Sequence, residues 1–232
     1  MKFKNKLISS KFQKRYKRFF VEVKNNGKTL ISHCANSGSM LGLLNKDNKT
    51  WVSTSDNPNR KLKFTLEIIN DGKSNVGVNT HLANQIVEEG IQKQKIKEIT
   101  KYESYQREVK FGKNSRFDFE LIGKNKKAFL EVKNVTLSRE KGVAEFPDAI
   151  TSRGLKHLGE LENAIKKGYE SYLIYLVQRE DCSYFKIAED IDSKYLHGFL
   201  QAKKNGVKFL CYSCKVNDEE ICINKPIKII FK

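Results

Sequence analysis

No hydrophobic run in the 232-residue chain approaches the length of a membrane span, which argues against a helical membrane protein. The basic start MKFKNKLISSKFQKRYKRFF is not followed by the apolar core of a secretory signal, so a cytoplasmic protein with no membrane partner is expected. Cysteines number five. An odd count of that kind argues against a disulfide framework or a disulfide-linked partner. Cys211 and Cys214 form a lone C-x-x-C with no second pair and no histidine nearby, which disfavours zinc. In VKFLCYSCKV they read as buried strand positions. Acidic residues are scarce, 27 against 44 Lys+Arg, giving a net charge of +17. That sign favours a polyanionic partner, most simply nucleic acid, and DNA first. A chain rich in Lys, Asn and Ile and poor in Arg also reflects an AT-rich genome, so part of the charge is drift of composition. Internal repeats and low-complexity segments are absent.

From about residue 16 to 80 the pattern is all β. Expected strands are Lys17–Lys24, Lys28–Cys34, Lys49–Ser55, Lys63–Asn70 and Asn75–Asn79, with Asn25-Asn26-Gly27 and Asp71-Gly72 as hairpin turns. Five short strands in that space suit a small barrel of the oligonucleotide-binding (OB) type. Arg15, Lys17, Arg18, Arg60 and Lys61 lie in this segment beside Tyr16, Phe19, Trp51 and Phe64. Cations interleaved with aromatics suit a nucleic-acid groove, and the same aromatics equally make a barrel core. The loop Asn36–Met40 either offers backbone N–H groups to a phosphate or simply turns the chain. Residues 1–82 are read as this first domain and 83–232 as a second.

The second domain opens with helical periodicity from Asn84 to about Thr100, a short helical stretch reaching Tyr102 and Tyr105, and a strand at Gln106–Phe111. A strand at Gly142–Phe146 precedes a helix over Ala149–Lys167. There Leu155, Leu158, Leu161 and Ile165 form one stripe, and Arg153, Lys156 and His157 lie opposite, solvated or offered to a phosphate. Tyr172–Gln178 reads as a central strand. A strand at Ser183–Ile187, a helix at Asp192–Lys204 and a last long strand at Val207–Val216 complete a mixed α/β domain.

The stretch Ser115–Asn134 carries the chemistry. It reads as two alternating strands around a polar turn at Gly123–Lys127. Closing the hairpin about the Lys124–Asn125 bond sets Asp118 opposite Glu131, with Lys133 on the same face. Two neighbouring carboxylates repel, and a hard divalent cation, Mg²⁺ or Mn²⁺, holds both ionised. Lysine beside them suits a water or a phosphate. The same three residues also describe a solvated ion-paired face, and a one-residue slip separates the acids.

The order helix, strand, strand with Asp118, strand with Glu131-Val132-Lys133, helix, strand resembles the PD-(D/E)xK nuclease core. More widely, the chain resembles the sugar fermentation stimulation protein A (SfsA) family. The matching stretches include Arg15–Phe19, His33–Met40, Ser53–Lys61, Val78–Thr80, Glu131–Leu137, Phe146–Ala149 and Thr151–Leu158. The chain departs from that pattern at Ala35 and Leu155. The resemblance implies an OB-type barrel, a nuclease-like second domain, DNA binding and a regulatory part in sugar metabolism, notably maltose. It places Asp118, Glu131 and Lys133 on the catalytic motif and adds Glu89 as a further metal ligand. Against DNA binding stand two alternatives: a Mg²⁺-dependent nuclease acting on DNA or RNA, and a non-catalytic interaction module on the same fold.

Overall fold

The computed structural model describes residues 1–112 and 115–231. Lys113 and Asn114, part of the turn expected after Phe111, lie outside the described residues. The barrel is built from β1 (Ile8–Tyr16), β2 (Phe20–Asn25), β3 (Lys28–His33), β4 (Lys49–Thr54) and β5 (Phe64–Asn70), with β6 (Asn75–Gly77) added at the edge. Strand order is β3-β2-β1-β4-β5-β6, and a parallel β3–β5 pairing closes five strands into a cylinder. Closure removes exposed edges. The Asn26-Gly27 turn has φ of 47° and 78°, the left-handed pair that a two-residue hairpin between β2 and β3 requires.

One expectation fails here. The stretch Ile8–Tyr16, read as part of a basic terminus, is the first barrel strand. Its Phe12 is buried amid lysines, which hide the alternation. Asn75–Gly77 is therefore a sixth strand rather than the fifth.

The second domain begins with α1 (Ala83–Gln92). It continues through β7 (Ser104–Phe111), β8 (Ser115–Ile122), β9 (Lys127–Val135), β10 (Leu137–Glu140) and β11 (Val143–Phe146). Then come α2 (Ser152–Lys166), β12 (Glu170–Val177), β13 (Tyr184–Ile187), α3 (Ser193–Lys204), β14 (Lys208–Val216), β15 (Ile221–Pro226) and β16 (Lys228–Ile229). The expected helix to Thr100 stops at Gln92, because Gln94 turns left-handed at φ 50° and swings Ile96 and Ile99 into the core. Tyr105, expected in a helical stretch, sits on β7. Strands β10, β15 and β16 were not expected.

A mixed six-stranded sheet, ordered β15-β14-β12-β9-β8-β7, carries the domain, and β10-β11-β13-β16 form a small second sheet. Strand β12 is buried on both faces. Tyr172, Ile174 and Leu176 meet α1 through one core, while Leu173, Tyr175 and Val177 meet α2 and α3 through the other. The period-two alternation of a strand also separates Cys211 and Cys214, which belong to opposite cores. Three residues apart on a strand, they neither pair nor share a metal.

The two domains are joined by packing. Trp51, expected as a barrel-core or nucleic-acid aromatic, is buried on the outer side of the barrel with Leu7 and Ile68, in the core shared with α1. Buried Arg179 bridges Asp71 of the barrel at 2.8 Å and Asp181 of its own domain at 2.6 Å. Gly77 N–H donates to the Gln178 carbonyl at 2.9 Å.

Candidate metal and phosphate site

The hairpin closes in the expected register, with Ile122↔Lys127, Leu121↔Ala128, Glu120↔Phe129 and Phe119↔Leu130. The ladder stops there. One residue on, the Asp118 carboxylate accepts a hydrogen bond from Val132 N–H at 2.7 Å and a second at 2.7 Å from the Asn84 amide of α1. A side chain thus takes over from the backbone where the strands cease to pair. Burial, with the neighbouring Glu131 charge second, pushes the Asp118 carboxyl up to about 6.

Glu131 lies on the α2 face of β9 and is 3% exposed. Its Oε1 accepts from Lys133 Nζ at 2.7 Å and from His157 Nδ1 of α2. Lys133 Nζ and His157 Nδ1 are 3.3 Å apart. Burial pushes the Glu131 carboxyl up, but Lys133 and His157 outweigh it and hold the group below its ordinary range. Glu131 Oε2 is buried with no hydrogen-bond partner. A buried carboxylate oxygen without a donor is costly. The Glu131 charge also acts on the Asp118 carboxyl, and two neighbouring carboxylates are a donor set suited to a hard cation. Among the described residues no three His, Cys, Asp or Glu side chains gather as a complete ligand group. A cation held here therefore needs ligands beyond the two acids.

Glu89, implied as a further metal ligand, is engaged elsewhere in this structure. It pairs with the Met1 amine and with Lys93. Five residues separate it from Asn84, about 140° around a helix of 3.6 residues per turn, so α1 can present only one of them to Asp118. Asn84 is the residue presented.

Arg153, Lys156 and His157 do converge. They line one wall of a groove of about 430 Å³ whose other wall is Lys110, Ser115 and Arg116 from the β7–β8 pair. The first turn of α2 is fixed by Thr151, whose hydroxyl accepts from Gly154 N–H at 3.0 Å. That cap starts the helix that brings His157 to Glu131 of β9, with Arg153 Nε beside His157 Nε2 at 3.5 Å. Sequence reasoning did not single out Lys110 and Arg116. The signal was present, since both flank the turn that precedes Asp118.

The barrel cations divide. The Arg15 guanidinium is engaged within the protein, donating to the carbonyls of Arg18 (2.7 Å), Gly38 (2.8 Å) and Asn36 (2.6 Å). Arg60 donates to Thr65 Oγ1 at 2.7 Å. Lys17, Arg18 and Lys61 are exposed. In the Asn36–Met40 loop, Gly38 N–H donates to Asn36 Oδ1 at 2.8 Å and Met40 N–H to Asp148 Oδ2 at 3.4 Å. The loop is a turn docked on the second domain. A Cβ at Gly38 would collide with the Asp148 carboxylate.

A five-stranded OB barrel fused to a mixed α/β domain with paired acids at a hairpin is the class of protein that this geometry defines. Comparison with known proteins narrows it. Residues 14–78 match the family model "SfsA N-terminal OB domain", and residues 81–220 match "Sugar fermentation stimulation protein RE domain". The chain belongs to the sugar fermentation stimulation protein (SfsA) family. It is 55% identical over 231 residues to a sugar fermentation stimulation protein homolog of Pelagibacter ubique, covering 99% of each. A homolog from Maricaulis maris is 42% identical, over 99% of this chain and 98% of that one. A solved structure, Pyrococcus furiosus SfsA in complex with Ca²⁺, superposes with a TM-score of 0.89 at 21% identity, over 100% of this chain and 98% of that one.

Proposed function

We propose that this is a DNA-binding protein whose second domain holds Mg²⁺ or Mn²⁺ between Asp118 and Glu131 and cleaves the phosphodiester chain there. On this reading any part in sugar metabolism, such as that of maltose, runs through contact with DNA. The carrying observation is half-buried Asp118 beside buried Glu131, with Glu131 Oε2 unpartnered, next to a groove of Lys110, Arg116, Arg153 and Lys156. Acid repulsion and a flanking cationic wall together suit a metal and a phosphate. The Ca²⁺ held by the Pyrococcus furiosus protein is also an oxygen-seeking cation.

Asp118 and Glu131 would hold the cation, which when bound supplies Lewis-acid polarisation of a phosphate oxygen. Lys133 orients the attacking water, and Glu131 and His157 fix the lysine in place. The groove cations hold the phosphate by charge, so binding weakens as salt rises.

A second reading, DNA binding without cleavage, is favoured by one observation. Lys133 and His157 already share Glu131 Oε1, which neutralises one acid without any metal.

Labelled DNA and RNA incubated with Mg²⁺ or Mn²⁺ separate the two. Cleavage is expected in the wild type and is lost in both Asp118→Ala and Lys133→Ala. Salt-sensitive binding without cleavage establishes the second reading. Cleavage that survives both substitutions assigns the activity to another site or a contaminant.

A further inference from the structure

We propose that the strand delivered to this site is single-stranded nucleic acid, laid base by base on a row of three rings, Phe19, His33 and His81, on the barrel surface. The inference rests on the nucleic-acid reading above and adds the form of the substrate.

The row begins at the β1–β2 turn. Lys17 and Arg18 are both left-handed there, with φ of 45° and 61°, which is uncommon for consecutive residues other than glycine. Arg15 holds the turn by donating to the Arg18 carbonyl. The turn leaves Phe19 43% exposed. A lone exposed phenylalanine is unremarkable on a protein surface, but this one is followed by a series. The His33 ring lies 6.4 Å from it, within 20° of parallel. His81 follows, 6.4 Å from His33. Phe19 and His81 are exposed and His33 is half-buried, so the rings step along the surface rather than closing into a core.

Charge accompanies the rings. Arg60 is tied to Thr65, the residue paired with His33 across β3 and β5, so its cation sits alongside the row. Exposed Arg18 stands at the Phe19 end. Glu67, an acid on β5 beside this row, is buried and closed off by Ser53 (2.6 Å) and Asn79 (2.8 Å). Flat rings flanked by cations bind unpaired strands, because every base has a π-face and every nucleotide a phosphate. In a duplex those faces are already stacked against each other.

The row also has a destination. Arg18 and Thr80, neighbours of its two ends, line a cleft of about 370 Å³ between the domains. Its opposite wall includes Asn134 and Thr151. Asn134 follows Lys133 on β9, and Thr151 caps the helix that carries Arg153 and His157. A cavity of this volume takes one small-molecule-sized unit, such as a single nucleotide, and not a base-paired helix. A strand leaving the rings thus enters the cleft and meets the groove beside Glu131.

The test is fluorescence anisotropy with a labelled oligothymidylate, a labelled oligouridylate and a duplex of equal length, at two salt concentrations. Wild type is expected to bind the single strands more tightly than the duplex. Phe19→Ala and Phe19→Leu should each weaken single-strand binding about tenfold and leave duplex binding unchanged. Phe19→Trp should restore affinity, and its own fluorescence should be quenched by the oligonucleotide. The DNA and RNA arms assign the sugar. Preference for the duplex, or single-strand binding indifferent to Phe19→Ala, overturns this inference and leaves the nucleic-acid reading standing. No affinity for any of the three overturns both.

Discussion

Two carboxylate clusters on the same six-stranded sheet have opposite electrostatics. At the start of β12, Glu170 accepts from Lys101 at 2.8 Å and from Tyr172 at 3.0 Å, and pairs with Lys208. Burial raises its carboxyl, but these partners outweigh it and bring it down to about 2. At the β8–β9 hairpin, Asp118 meets burial and a second carboxylate and rises to about 6. The first arrangement is satisfied by the chain itself. The second is left in debt, and acids kept under that kind of repulsion cluster at functional sites.

The sharpest way to break the contrast is to neutralise the strained acid. A carboxyl raised in the folded state favours folding fully below its unfolded pKa, and that advantage is lost as pH rises through the folded value. Asp118→Asn should therefore stabilise the protein at pH 7.5, on the order of 3 kcal/mol, since the carboxyl rises from 3.8 to about 6 at 1.36 kcal/mol per pH unit. In a protein of this size that is a rise in Tm of about 6–12 °C. The gain should vanish near pH 4. Thermal melts of both proteins at the two pH values check it, and an equal difference at both pH values would refute the electrostatic account.

A divalent cation should do less. At ten times its Kd, Mn²⁺ adds about 1.4 kcal/mol, so the wild-type melt should move up by a few degrees and the Asp118→Ala melt should not. An equal rise in both would place the cation elsewhere.

The smallest effect is expected at the satisfied cluster. Glu170→Gln should cost under about 1 kcal/mol, because its lysine partners are solvated. Here the sign is reversed: a lowered carboxyl contributes above its unfolded pKa and loses that contribution as pH falls toward 2. The loss should shrink further in 1 M salt. A salt-independent cost would mean that packing, not charge, is what Glu170 provides.

How much of this was legible in the sequence follows from what each signal encodes. The hairpin was legible from its alternation and polar turn, and symmetric closure gives the register formed over Phe119–Ile122, although the pattern alone also allowed a one-residue slip. The barrel was legible from its turns, while its first strand was hidden because Lys11, Lys14 and Arg15 crowd around Phe12, its one buried apolar residue. Trp51 was visible as an important aromatic, but alternation does not say which side of a closed sheet meets another domain. The choice between Glu89 and Asn84 depended on helix phase relative to the sheet, a tertiary quantity. His157 was visible as a polar residue opposite a stripe. Its partner Glu131 lies 26 residues away, and only the docking of α2 on β9 brings them together.

The burial of Trp51 against α1 bears on how the molecule can be handled. An excised barrel would expose an indole and its aliphatic neighbours to water, and an excised second domain would lose the cover over Ile86 and Val87. The halves should melt in one transition and resist separation by limited proteolysis. A fragment cut at the junction would then aggregate rather than act as a miniature of either half.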